Sequence, residues 1–213
     1  MSKSKAAEES WTSPYAAKPW LDHYDYWVPP HINYPRRALY EILRLTSVKT
    51  PENVATAFQG AHLTYAQIKQ QTDKLATALV RLGVKQGDRI GIMLPNCPQY
   101  IVSTFAILRL GAIVVNINPL YTPRELEHQL KDSGSKAIVI IENFANTLQQ
   151  CIANTPVKHV VLASMGDQLG LLKGALVNYV VRKVKKMVPG EDGSMRKLPD
   201  DVRAEEGRAL ARL

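Results

Sequence analysis

Apolar residues recur along this chain in two rhythms. Short continuous or alternating runs at 54–58, 61–64, 89–94, 112–117, 136–141 and 159–163 have the length and composition of β-strands. The first two flank Gln59-Gly60 and predict a hairpin. Between the runs the spacing turns helical. Thr64 with Gln67 three positions on is a capping box, and Leu63 and Ile68 flank it as a hydrophobic staple. Ile68, Leu75, Leu79 and Leu82 share one face of the helix that follows, and Gly83 ends it. Thr122-Pro123-Arg124-Glu125 is a second capping box, with proline at the first helical position, and that helix runs to Ser133 and stops at Gly134. Further helices are expected over 36–46, where Leu39, Ile42, Leu43 and Leu45 are apolar, over 99–110 and over 144–154. Four apolar runs separated by helices predict an α/β fold: an open, mainly parallel sheet with helices on both faces and right-handed crossovers.

This alternation defines a body over 36–165. Residues 1–35 form an N-terminal arm that holds Trp11, Trp20, Trp27 and five prolines, which forbid a regular helix. Its rings carry large apolar area. The arm therefore either wraps its own domain or docks on a partner subunit, a candidate homodimer contact. Residues 166–190 are a basic amphipathic segment, apolar first and cationic later, and 191–213 are a charged tail or linker.

Composition narrows the class. With 46% hydrophobic and 22% charged residues, the 213-residue chain is neither disordered throughout nor collagen-like. Two distant cysteines, Cys97 and Cys151, make neither a disulfide scaffold nor a zinc set. The net charge of +8 favours an anionic contact. Nucleic acid is not expected, because the cations are not interleaved with aromatic rings. The N-terminus lacks an apolar signal region, and there is no continuous spanning stretch. A cytoplasmic protein is expected, peripheral on the inner face of the cell membrane.

No phosphate loop of the GxxxxGK[ST] kind, GxGxxG turn, GxSxG elbow or HExxH pair occurs. His128 reads as a solvated helix position. Cys97, before Pro98, reads as a small residue at a tight turn. Open parallel sheets bind ligands beyond the carboxyl ends of their strands. That rule points to Leu94–Asn96 and Asn118–Tyr121, although Asn and Pro there also suit plain turns.

Leu63-Thr-Tyr65, the run Gly87–Asn96, the run Leu110–Leu126 and Leu130-Lys-Asp-Ser-Gly134 together resemble the N-terminal part of the adenylate-forming superfamily. The block from Asn118 to Leu126 and the basic run Val180–Pro189 resemble bacterial long-chain fatty-acid–CoA ligases. The resemblance covers about residues 20–190. It implies an enzyme family that uses ATP and magnesium to form an acyl-adenylate and then passes the acyl group to CoA. The family's Ser/Thr/Gly-rich phosphate loop and its later motifs find no match in this sequence. A truncated fragment, inactive alone, is therefore expected, and no catalytic, cofactor-binding or metal-binding residue is carried over. Fatty acid, ATP and CoA are partners only of a complete enzyme. The membrane hypothesis rests on Lys173, Arg182, Lys183, Lys185 and Lys186. The alternative reading is a stand-alone membrane-surface or nucleotide-binding interaction module.

Overall fold

The computed structural model describes residues 13, 15–166, 174–176 and 179. The chain divides into two compact units, Met1–Arg37 and Ala38–Leu213. In the first, Pro19–His23 form a 3-10 turn, Tyr15 and Trp20 pair at 6.1 Å between ring centroids, and Tyr26 and Trp27 meet edge-on at 4.9 Å.

The second unit begins with α1 (Tyr40–Lys49) and a hairpin of β1 (Val54–Phe58) and β2 (Ala61–Thr64). Gln59 and Gly60 both have positive φ, the signature of the tight hairpin turn that glycine favours. Then come α2 (Tyr65–Arg81), β3 (Arg89–Met93), α3 (Pro98–Arg109), β4 (Ile113–Asn116), α4 (Pro123–Ser133), β5 (Ala137–Ile141), α5 (Ala145–Cys151) and β6 (His159–Ala163). Both expected capping boxes form in full, at Thr64–Gln67 and at Thr122–Glu125. Gly134 ends α4 at φ 64°, a left-handed conformation that costs glycine little.

The main sheet is parallel throughout, in the order β4-β3-β5-β6. The chain steps outward from β3 to β4, then crosses back to β5 and β6. That reversal sends α3 to one face and α4 and α5 to the other. Ile90, Ile92, Val139 and Ile141 pack with α2 and α3 residues such as Leu75, Leu79 and Ile107. Met93, Ile138 and Ile140 pack with Leu126, Leu130 and Leu148 on the other face. Each such side chain contributes about 1.5–3 kcal/mol by leaving water. A polar node ties the first helical layer together. Asp73 of α2 accepts from Tyr40 Oη at 3.1 Å and from Lys69 Nζ at 2.6 Å, and it pairs with Arg109 of α3.

Three expectations need correction. Helix α1 lies at Tyr40–Lys49 rather than 36–46. It continues until Thr50, where the following Pro51 disfavours helical backbone. The helix expected over 144–154 is α-helical only at Ala145–Cys151, between 3-10 turns at Glu142–Phe144 and Ile152–Asn154. The strand expected over 112–117 spans only Ile113–Asn116, and as a sheet edge it leaves Ile113 45% exposed, while Val114 and Val115 pack into the two opposite cores.

Of the segment 166–190, Gly174–Leu176 and Tyr179 are helical. Lys173, Arg182, Lys183, Lys185 and Lys186 lie outside the described residues, as does the tail 191–213. Among the described residues no helix is long and apolar enough to cross a membrane.

Candidate functional site

The order in which strands are added reverses between β3 and β5, and the loops beyond the carboxyl ends of those strands splay apart there. An open cavity of about 620 Å³ lies between them. Leu94, Pro95 and Asn96 line it after β3, Asn118, Pro119 and Leu120 after β4, Ile141, Asn143 and Phe144 at the end of β5, and Met165 after β6. The position is the one that strand order dictates for ligands in open parallel sheets.

Each wall has a local cause. Buried β3 carries Leu94 to the cavity floor, where it is 4% exposed. Asn118 Oδ1 accepts from the N–H of Leu120 at 3.0 Å, and Asn118 O accepts from the N–H of Tyr121 at 3.1 Å, so the β4–α4 loop folds on itself. This turn lifts Leu120 to the rim, 81% exposed. Across the mouth, Asn143 Oδ1 is buried without a hydrogen-bond partner, in a wall whose other polar side chains are Asn96 and Asn118.

The two stretches singled out beyond strand ends are thus brought together, with one exception. Tyr121 turns away and lines a separate open groove with Arg124, Glu125 and His128 of α4. His128 is exposed there, a solvated helix position. Ile141, Asn143, Phe144 and Met165 were missed, although the strand-end rule applied to β5 and β6 would have found them.

Cys97 caps α3 ahead of Pro98 and is buried. Burial pushes its thiol up, against a smaller pull from the N–H groups of Tyr100 and Gln99. The Cys151 thiol is pushed up to about 11 by burial and by the nearby Glu127 carboxylate. In both, burial disfavours the thiolate, the nucleophilic form.

The cavity wall contains no Lys, Arg, Asp or Glu. Among the described residues no group of three or more His, Cys, Asp or Glu could hold a metal ion. These residues fit a largely apolar ligand with a few neutral polar contacts, from Asn96, Asn118 and Asn143. They do not fit a triphosphate or magnesium, which need concentrated opposite charge.

Comparison with known proteins agrees with this fold. The family described as AMP-binding enzyme matches residues 43–204. The long-chain-fatty-acid–CoA ligase of Salmonella typhimurium is 46% identical over 174 residues, covering 81% of this chain and 31% of its own length. The chain therefore spans about a third of that relative. A solved long-chain-fatty-acid-CoA ligase from Archaeoglobus fulgidus superposes with a TM-score of 0.58 at 26% identity, over 70% of this chain and 31% of that one. An anthranilate CoA ligase solved in complex with anthranoyl-AMP also gives 0.58 at 26% identity, over 68% of this chain and 27% of that one.

Proposed function

Because the chain belongs to the AMP-binding enzyme family, we propose that it supplies the parallel-sheet scaffold and one apolar wall of the acid-binding site of a long-chain fatty-acid–CoA ligase. The observation that carries this reading is the 46% identity to such a ligase over 81% of the chain. The cavity is consistent with it: Leu94, Leu120, Ile141, Phe144 and Met165 offer a surface for an alkyl chain. The unpartnered Asn143 Oδ1 is an acceptor, available to a protonated carboxyl group or another donor on the ligand and not to a carboxylate.

ATP, magnesium and CoA are the co-substrates this reading implies for a complete enzyme. The described residues do not fit the first two, so no adenylation step is assigned to this chain. Its own residues bind and orient: apolar contacts exclude water from the alkyl chain, and the folded Asn118–Tyr121 loop keeps the mouth open.

The reading extends to location. In the cytoplasm, Lys173, Arg182, Lys183, Lys185 and Lys186 contact an anionic membrane surface, and the aromatic arm pairs two copies. The support is compositional: clustered cations suit acidic lipid at about 1 kcal/mol each. Sedimentation with anionic and neutral vesicles tests it, and equal binding to both would count against it.

The functional reading is tested with the 213-residue chain itself. Oleate displaces a fluorescent fatty acid from it, while ATP, magnesium and oleate together release no pyrophosphate above background. Failure of oleate to compete would overturn the assignment of the cavity. Pyrophosphate release would overturn the scaffold role.

A further inference from the structure

A second open cavity of about 380 Å³ lies between β1 and the start of α3, lined by Phe58, Thr56, Pro98 and Ile101 among others. Asn96 lines this chamber and also the 620 Å³ cavity. It is exposed, and its side chain has no hydrogen-bond partner among the described residues. Asn96 is therefore a solvent-exposed amide at the border of two largely apolar spaces. The arrangement follows from the chain path: β3 ends at Met93, and Pro98 starts α3, so the few residues between them must turn sharply past the hairpin.

We propose that Asn96 is the specificity-determining residue that sets how long an alkyl chain the cavity accepts, by closing the passage from the first chamber into the second. The proposal rests on the fatty-acid reading above and deepens it. A methylene that moves from water into the first chamber gains affinity of about fourfold. One pushed against the Asn96 amide strips water from a polar group that finds no replacement bond, and that cost cancels the gain. Affinity should therefore rise with chain length and then level off once the alkyl end meets Asn96. Without the amide, the chain can continue between Phe58 and Ile101.

The test is displacement of a fluorescent fatty acid from the 213-residue chain by saturated acids of eight to eighteen carbons. The wild type should gain about fourfold per methylene and then reach a plateau. Asn96→Ala should move the plateau to longer chains, and Asn96→Gln, which keeps the amide, should leave it in place. Unchanged thermal unfolding of both variants would show that the fold is intact. Steady gain through eighteen carbons in the wild type, or the same plateau in Asn96→Ala, would overturn the role of Asn96 while leaving fatty-acid binding standing. Absence of fatty-acid binding in every form would overturn the parent reading and this one with it.

Discussion

Gln129 Nε2 donates a 2.8 Å hydrogen bond to the backbone carbonyl of Asn116, across the outer edge of β4. The N–H groups of Ile113 and Ile117 point inward to Asp88 and Ile92 of the neighbouring strand segment, which turns the Asn116 carbonyl outward. An unpaired outward carbonyl is a template for another strand. Here a helix side chain covers it, and Tyr100 Oη holds the Asn116 side chain at 2.9 Å. Both contacts anchor the start of the loop that forms one wall of the cavity. Gln129→Ala should cost about 0.5–1.5 kcal/mol, the net worth of one hydrogen bond, in urea unfolding. An unchanged midpoint would mean that water replaces the contact fully.

The capping boxes make a separable pair. Thr64→Ala and Thr122→Ala should each destabilise by about 1 kcal/mol, and the double variant by nearly the sum, since the sites share no partner. Chemical denaturation of the three variants checks this. Strong non-additivity would mean that the two helix starts are coupled.

Gly91 in β3 has no room for a side chain. A Cβ there would stand 2.8 Å from Ile117 Cδ1 and 3.2 Å from Ile138 Cγ1. Gly91→Ala is expected to lose about 1–3 kcal/mol by overpacking, read as a lower thermal midpoint. A gain in stability would show that both isoleucines move aside freely.

Stability should fall in acid. Lys136, at 2.5 Å, and then the N–H of Lys85 hold the Asp88 carboxyl below its ordinary value. The N–H and hydroxyl of Thr122 do the same for Glu125. A folded-state pKa below the unfolded one gives stabilisation that is complete above the unfolded value, about 4 for these groups, and is lost as pH falls through the folded value. Urea midpoints should therefore drop below about pH 4, and Asp88→Asn should flatten that slope. An identical slope in the variant would remove Asp88 from this account.

Helix α1 leaves Leu39, Ile42 and Val48 exposed, the last two at 60% and 71%. A stripe of this kind favours association. Sedimentation velocity should show concentration-dependent self-association of the chain, reduced in Ile42→Lys/Val48→Glu. A monomer at all concentrations would contradict it.

The sequence made the sheet legible because β3 and β5 are buried on both faces and so read as unbroken apolar runs. Thr64 and Thr122 marked their helix starts directly, since a capping box is a local signal. What stayed hidden depends on tertiary neighbours. Ile113 reads like any core isoleucine, and only strand order puts it at an edge. The end of α1 was set by Pro51, beyond the apolar pattern that suggested 36–46. At the cavity, Leu94–Asn96 and Asn118–Leu120 stand out as Asn- and Pro-bearing turns after strands, whereas Phe144, in a 3-10 turn after β5, and Met165, in a turn after β6, obey the same strand-end rule without that turn composition. The orphaned oxygen of Asn143 belongs to packing and has no trace in sequence.

Backbone chemical-shift mapping of the isotope-labelled chain offers the most direct test, with oleate and with ATP plus magnesium added separately. Oleate should perturb Leu94, Asn96, Leu120, Asn143 and Phe144 in a saturable way, and ATP with magnesium should leave those five signals in place. Saturable shifts at the same residues with ATP and magnesium, and none with oleate, would contradict the reading of this cavity as the apolar wall of an acid-binding site.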